Sequence, residues 1–166
     1  VDGSVLNIGG ALTSNDVSKT RTLLDDIKEI NADVKAIDPA FEMNEAKGEY
    51  RGVVQDMPQE WTNSFDNIVS INFFNAEFWD EQQNRIVKDG FNSPKEFYAA
   101  GLREIKRVLK SEGNFVVGIG LQPNSDFIKV LHEVFQGDYV IQPIFLQGGV
   151  YAVMPATIDS AMNVQT

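Results

Sequence analysis

Short apolar runs alternate with amphipathic stretches along this chain, and each run ends at small or polar residues. Val5-Leu6-Asn7-Ile8 is short, apolar and β-branched at its ends, which suits a strand buried on both faces, and it stops at Gly9-Gly10. Leu23, Leu24, Ile27 and Ile30 then recur at helical spacing and predict a helix over Ser18 to Ile30, capped by Asp16 or Ser18 and closed by Asn31. A second strand is expected over Asp33 to Ile37, after which Pro39 blocks further ladder pairing and Ala40 to Ala46 reads as a short helix or turn. Gly52 to Gln55 predicts a third strand and Asn67 to Asn72 a fourth, the latter entered through Ser64-Phe65-Asp66.

The second half starts with a polar segment, Glu81 to Asn92, that carries no period. Ser93-Pro94-Lys95-Glu96 then supplies an N-cap, a proline at the first helical position and a capping-box glutamate. Tyr98, Leu102, Ile105 and Leu109 line one face of the helix that follows, Lys106, Arg107 and Lys110 suit its C-terminal dipole, and Gly113 is the expected stop. Asn114 to Gly120 predicts a fifth strand and Ser125 to Phe135 another amphipathic helix. Tyr139 to Phe145 and Val150 to Met154 form a last pair, and the short Leu146-Gln147-Gly148-Gly149 link between them implies an antiparallel hairpin. Strands alternating with helices argue an α/β domain with an open, mostly parallel sheet. The domain is expected over residues 1–155, with 156–166 as a surface tail.

Composition narrows the chemistry. At 166 residues the chain is one domain of ordinary size, long enough to bury roughly two-thirds of its unfolded surface. It has no cysteine and one histidine, which removes thiol nucleophiles, disulfide frameworks and cysteine zinc sites, and no metal site is expected. A formal charge of −10 opposes nucleic acid as a partner, because that binding rests on a positive footprint. No segment resembles a membrane span or an export signal, so a cytoplasmic setting and no membrane partner are expected. A strand beginning at position 5 leads us to expect either a domain excised from a longer polypeptide or a chain whose leading residues are removed or unnumbered.

Two stretches carry the candidate chemistry. Gly9 and Gly10 remove side chains where the backbone must turn and approach a ligand, ahead of a helix with free N–H groups. Asp38 ends the second strand, where an acceptor-only carboxylate can take both hydroxyl hydrogens of a ribose. Together they describe an adenosine-type site; the plainer alternative is a tight turn at Gly9-Gly10 and a helix cap at Asp38.

The ordered blocks Val5-Leu6-Asn7-Ile8-Gly9-Gly10, Ala36-Ile37-Asp38-Pro39, Gln55-Asp56-Met57-Pro58, Ser64 to Ser70 and Glu104 to Asn114 resemble the class I S-adenosylmethionine-dependent methyltransferases. The resemblance spans nearly the whole chain. It implies a doubly wound, Rossmann-like sandwich whose seven-stranded sheet is mostly parallel, with the last strand inserted antiparallel beside the fifth. It further implies S-adenosylmethionine as cofactor, with Asn7, Gly9, Gly10 and Ala11 beside its methionine portion, Asp38 and Pro39 at the ribose, Asp56 and Met57 at the adenine, and Ser70, Ile71, Asn72 and Phe73 beneath the sulfonium. Asn7 stands where the family usually has an acid, and Ala11 where it usually has a second glycine. The helices that usually precede the first strand are absent, so another domain or subunit is expected to complete the pocket.

Two functions follow. In an active enzyme, transferring a methyl group to a small molecule or to a glycan or protein group, Glu77 or Asp80 would serve as base for a hydroxyl acceptor, and Phe73, Phe74, Phe78 and Trp79 would wall the substrate. The bland alternatives are solvated acids and aromatics packed beneath the Glu81 to Asn92 segment. The second function is a methyltransferase-like module that binds without chemistry. A nicotinamide oxidoreductase ranks behind both, because Gly9-x-Ala11-x-x-Ser14 is a poor dinucleotide fingerprint. His132 lies off its helix's apolar stripe and is expected at the surface, and Arg103, Lys106, Arg107 and Lys110 are expected to form a solvated helix flank.

Overall fold

In a computed structural model the residues described are 3–9, 23–30, 33–38, 41–71, 93–119, 125–144 and 149–156. Strands β1 (Val5–Ile8), β2 (Val34–Asp38), β3 (Glu49–Arg51), β4 (Phe65–Ile71), β5 (Leu109–Gly118), β6 (Tyr139–Pro143) and β7 (Val150–Pro155) are joined by helices α1 (Leu23–Ile30), α2 (Pro94–Val108) and α3 (Ser125–Phe135). They form one seven-stranded sheet in the order β3-β2-β1-β4-β5-β7-β6. The first five strands pair in parallel, and β7 lies antiparallel between β5 and β6. This is the doubly wound arrangement the resemblance implies.

Register sorts the side chains onto two faces. Val5, Val34 and Ala36 share one face with Phe41, half-buried Val69 and Ile27 of α1. Leu6, Ile8, Ile37, Ile68, Phe115 and Val117 share the other, under α2 and α3. Tyr98, Leu102, Ile105 and Leu109 are all buried, as the helical period predicts, and Ser93 Oγ accepts the Glu96 N–H at 3.2 Å to cap α2. Phe127, Val130, Leu131 and Phe135 are buried and anchor α3, and His132 is exposed.

Three expectations are corrected. The third strand is Glu49–Arg51, not Gly52 to Gln55: Val53 and Asp56 close a turn, with Val54 buried and Val53 exposed. An edge strand needs little apolar surface, so its polar residues hid it, and Val53-Val54 imitated a strand. Gly48 at φ 70° makes the entry, since a Cβ there would sit 2.3 Å from the Val34 carbonyl oxygen. The fifth strand starts at Leu109, directly after α2, and its pairing with β4 jumps from Phe65↔Leu109 to Asn67↔Asn114. Gly113 is therefore buried inside the strand rather than stopping the helix, and its missing side chain makes room for Leu109. Third, the basic flank is not simply solvated. Lys106 Nζ donates to the Val134 carbonyl at 3.0 Å, Lys110 Nζ lies 3.2 Å from Asp66, and Arg107 is bonded at several atoms. The expected helix residues 18–22 and tail residues 157–166 lie outside the described residues.

Asp66 ties β4 to the start of β1 and to β5. Its Oδ2 accepts the Ser4 N–H at 2.9 Å, and that bond, with help from Lys110, holds its carboxyl below its ordinary value. A depressed acid contributes stability above its unfolded value, about 3.9, and loses it as pH falls through the folded one. The pair with Lys110 is open to water, so Asp66→Asn is expected to cost no more than about 1 kcal/mol at neutral pH. Urea melts should show that difference closing in acid; an equal deficit at both pH values would assign the effect to packing instead.

Candidate functional site

The C-terminal ends of β1, β2 and β4 meet at one edge of the sheet, because Ile8 pairs with Ile37 and Asn7 with Val69. Beyond Ile8, the Gly9 N–H continues the ladder to the Ile37 carbonyl at 2.7 Å. Gly9 itself is buried and has φ 93°, a conformation that side-chain-bearing residues rarely hold. Asn7 Nδ2 donates to the Gly9 carbonyl at 3.0 Å, which fixes the orientation of the amide and leaves Oδ1 buried.

Asp38 closes β2 half-buried, and its carbonyl accepts the Phe41 N–H at 3.2 Å and the Gly52 N–H at 3.3 Å. Those bonds fold the chain back so that residues 41–43 and the loop behind β3 flank one opening. There a cleft of about 340 Å³ is lined by Ile37, Met43, Tyr50, Met57 and Pro58, with Arg51 and Asp56 contributing charge. Its walls are mainly apolar with a few charged groups beside them, the general character of a small-molecule site.

Among the described residues, the buried side-chain polar atoms with no hydrogen-bond partner are Asn7 Oδ1, Gln55 Nε2 and Ser70 Oγ. All three sit on segments that reach this edge. Unpaired buried polar atoms cost free energy, and of the three it is Asn7 Oδ1 that lies beside Gly9 at the strand ends.

The same topology recurs in solved proteins. A TehB-like SAM-dependent methyltransferase from Corynebacterium glutamicum matches with 16% identity and TM-score 0.54, over 93% of this chain and 80% of that one. The 16S rRNA (adenine(1408)-N(1))-methyltransferase from Catenulisporales acidiphilia matches with 10% identity and TM-score 0.53, over 94% and 89%. The antibiotic-resistance methyltransferase Kmr matches with 12% identity and TM-score 0.51, over 93% and 87%. The chain has the class I methyltransferase fold. No family model and no curated protein sequence matches it.

Within this methyltransferase fold, Asn7, Gly9 and Asp38 come together at the strand ends, and Asp56 and Met57 line the adjacent cleft. Ser70 is fully buried on the face opposite Asn7, under the helices, while Ile71 is 37% exposed at the edge. Gly10, Ala11, Pro39, Asn72, Phe73, Phe74, Glu77, Phe78, Trp79 and Asp80 lie outside the described residues. The sequence does not single out Met43, Tyr50 and Arg51; Tyr50 and Arg51 reach the cleft from β3, which starts earlier than expected, and Met43 from the segment before it.

It also missed a polar clamp behind the cleft. Glu104 Oε1 accepts the Met57 N–H at 2.9 Å, while Arg107 donates to Glu104 Oε2 at 2.6 Å, to the Met57 carbonyl at 2.9 Å and to Thr62 Oγ1 at 2.6 Å. Burial pushes the Glu104 carboxyl up, but the bonds from Arg107 and Met57 outweigh it and hold the group below its ordinary value. The Glu104 carboxylate in turn raises Arg107. Met57, 1% exposed and with its N–H and carbonyl both engaged, offers a ligand only the side-chain edge that lines the cleft.

Proposed function

We propose that the domain binds S-adenosylmethionine at this edge and transfers its methyl group to a small molecule or to a glycan or protein group. The observation that carries the reading is the meeting of a side-chain-free, positive-φ Gly9, the buried acceptor Asn7 Oδ1 and the strand-end carboxylate of Asp38, beside an apolar cleft. The residues fit the cofactor's parts. Asn7 Oδ1 lacks a donor and the cofactor's amino acid portion carries an ammonium; Asp38 suits the ribose hydroxyls; the cleft suits adenine, with Asp56 accepting from its exocyclic amine.

When bound, the cofactor supplies an electrophilic methyl group on a sulfonium. The chain's own work is then to hold that group in line with an acceptor and to keep water away, which is where most of the rate gain resides. For a hydroxyl acceptor, Glu77 or Asp80 would take the proton, and of the described residues the resemblance puts beneath the sulfonium Ile71 is the one exposed at the strand end. An acceptor other than nucleic acid is favoured by the net charge of −10 and by the internal bonds of Lys106, Arg107 and Lys110. A catalytically silent binding module is the second reading, favoured by the neutral Asn7, whose amide is already half satisfied by Gly9.

Calorimetric titration with S-adenosylmethionine and S-adenosylhomocysteine tests the site. Binding at or below about 100 μM, near −5.5 kcal/mol, is the expected result, and no heat at millimolar ligand would overturn the reading. Asp38→Ala is expected to weaken binding by about 1–3 kcal/mol, the cost of losing hydrogen bonds to a charged group. Unchanged affinity in that variant would remove Asp38 from the ribose. Transfer to any acceptor would end the silent-module reading.

A further inference from the structure

Asp56 is exposed, yet the backbone on both sides of it is held. Its own N–H donates to the Val53 carbonyl at 3.2 Å, and the next N–H, that of Met57, donates to Glu104 at 2.9 Å. Fixing the two peptide planes that flank a Cα fixes its φ and ψ, and with them the direction in which the side chain leaves. Glu104 cannot do this alone, because one carboxylate anchored at one atom can swing. Arg107 stops the swing: it binds both Glu104 oxygens, at 2.6 and 2.9 Å, and reaches past them to the Met57 carbonyl. The planar guanidinium thus spans helix and loop as a rigid fork. The pair comes from α2, 47 residues from Met57 in sequence, so nothing local requires it.

We infer that Glu104 and Arg107 are positioning residues for base recognition, holding Asp56 where its carboxylate accepts the exocyclic amine of adenine and repels a carbonyl oxygen in the same place. This rests on the cofactor reading above, with Asp56 at the adenine. The pair acts through the backbone: it fixes where the Asp56 Cα–Cβ bond points and so limits the positions the carboxylate rotamers can reach. A loose Asp56 would still bind in some poses but would accept either ring.

The test compares S-adenosylhomocysteine with S-inosylhomocysteine, which carries a carbonyl in place of that amine. The wild-type domain is expected to prefer the adenosyl form at least about 10-fold, since an acceptor facing an acceptor is left unpaired. In Glu104→Gln, confirmed as folded by its melting transition, the preference is expected to fall to about 2-fold, with adenosyl affinity dropping while inosyl affinity stays or rises. A purely structural role would weaken both ligands together and leave the ratio intact, which would overturn the inference. If Glu104→Gln does not fold, Arg107→Lys decides in its place, because lysine keeps the charge but lacks the fork. Asp56→Asn is the control that should remove the preference without loosening the loop. Wild-type binding with no preference overturns the placement of Asp56 and this inference but spares the cofactor site; no binding of either ligand overturns both.

Discussion

Phe135→Ala is expected to lower the free energy of unfolding by about 3–5 kcal/mol, the range for deleting a fully buried aromatic ring. Phe135 is 0% exposed at the end of α3. It stacks on Phe115 of β5 with centroids 5.8 Å apart, and it meets Tyr139 of β6 edge-on at 5.2 Å. One ring therefore joins a helix to two strands that β7 separates in the sheet. The cavity left by alanine borders stiff aromatic neighbours and a strand backbone, none of which can collapse far into it. Against a total of about 5–15 kcal/mol, the loss is a large fraction of what keeps the domain folded. Urea denaturation should show a lower midpoint with an unchanged slope. A loss under about 1 kcal/mol would mean that α3 does not seat on the sheet as described.

Asn7→Asp is the second large effect, and its sign depends on pH. In the native protein the amide nitrogen donates to the Gly9 carbonyl at 3.0 Å. An aspartate there sets a carboxylate oxygen against that carbonyl in a 4% exposed position, so the charged form is disfavoured and its folded value rises. A raised carboxyl means that the folded state keeps a proton the unfolded state has released. The penalty is thus absent below the unfolded value, grows as pH rises, and levels off above the folded value. A shift of about two units corresponds to nearly 3 kcal/mol at neutral pH. S-adenosylmethionine bound as proposed would put a positive charge beside the carboxylate, stabilise its charged form and lower its folded value again. Added S-adenosylmethionine should therefore raise the melting temperature of Asn7→Asp by more than it raises that of the wild type. Equal deficits in acid and at neutral pH would show a packing effect, and equal ligand shifts would separate Asn7 from the cofactor.

What could be read in the sequence was whatever local chemistry determines. The cap at Ser93, the face of α2 and the antiparallel pair at the C-terminal end each depend on neighbours a few residues away, so pattern alone located them. Glu49-Tyr50-Arg51 is not legible, because an edge strand needs partners on one side only and a single half-buried aromatic between two charged residues makes no recognisable apolar run. Gly113 was read as a stop because a glycine after a basic turn looks like one; only the fold shows Leu109 filling the space that its side chain would take. At the site, the strand ends were legible and the directions of their side chains were not. Asn7 and Ser70 look alike as polar residues closing apolar strands, yet the register of β1 on β4 turns them to opposite faces. The clamp on Met57 was half legible: Glu104 and Arg107 are an ordinary i,i+3 pair on a helix, and their real partner lies 47 residues away.

The place of β7 governs how the sheet can be completed. Among the described residues, β6 pairs only with β7, and β7 is the only antiparallel neighbour of β5. Of the described strands β7 comes latest in sequence, yet it lies between two earlier ones. Until Val150–Pro155 arrives, β5 presents an open edge beside Phe115, and Tyr139–Pro143 has no sheet to join. Losing those six residues would cost two strands rather than one and leave an unprotected edge of the kind that pairs with other chains.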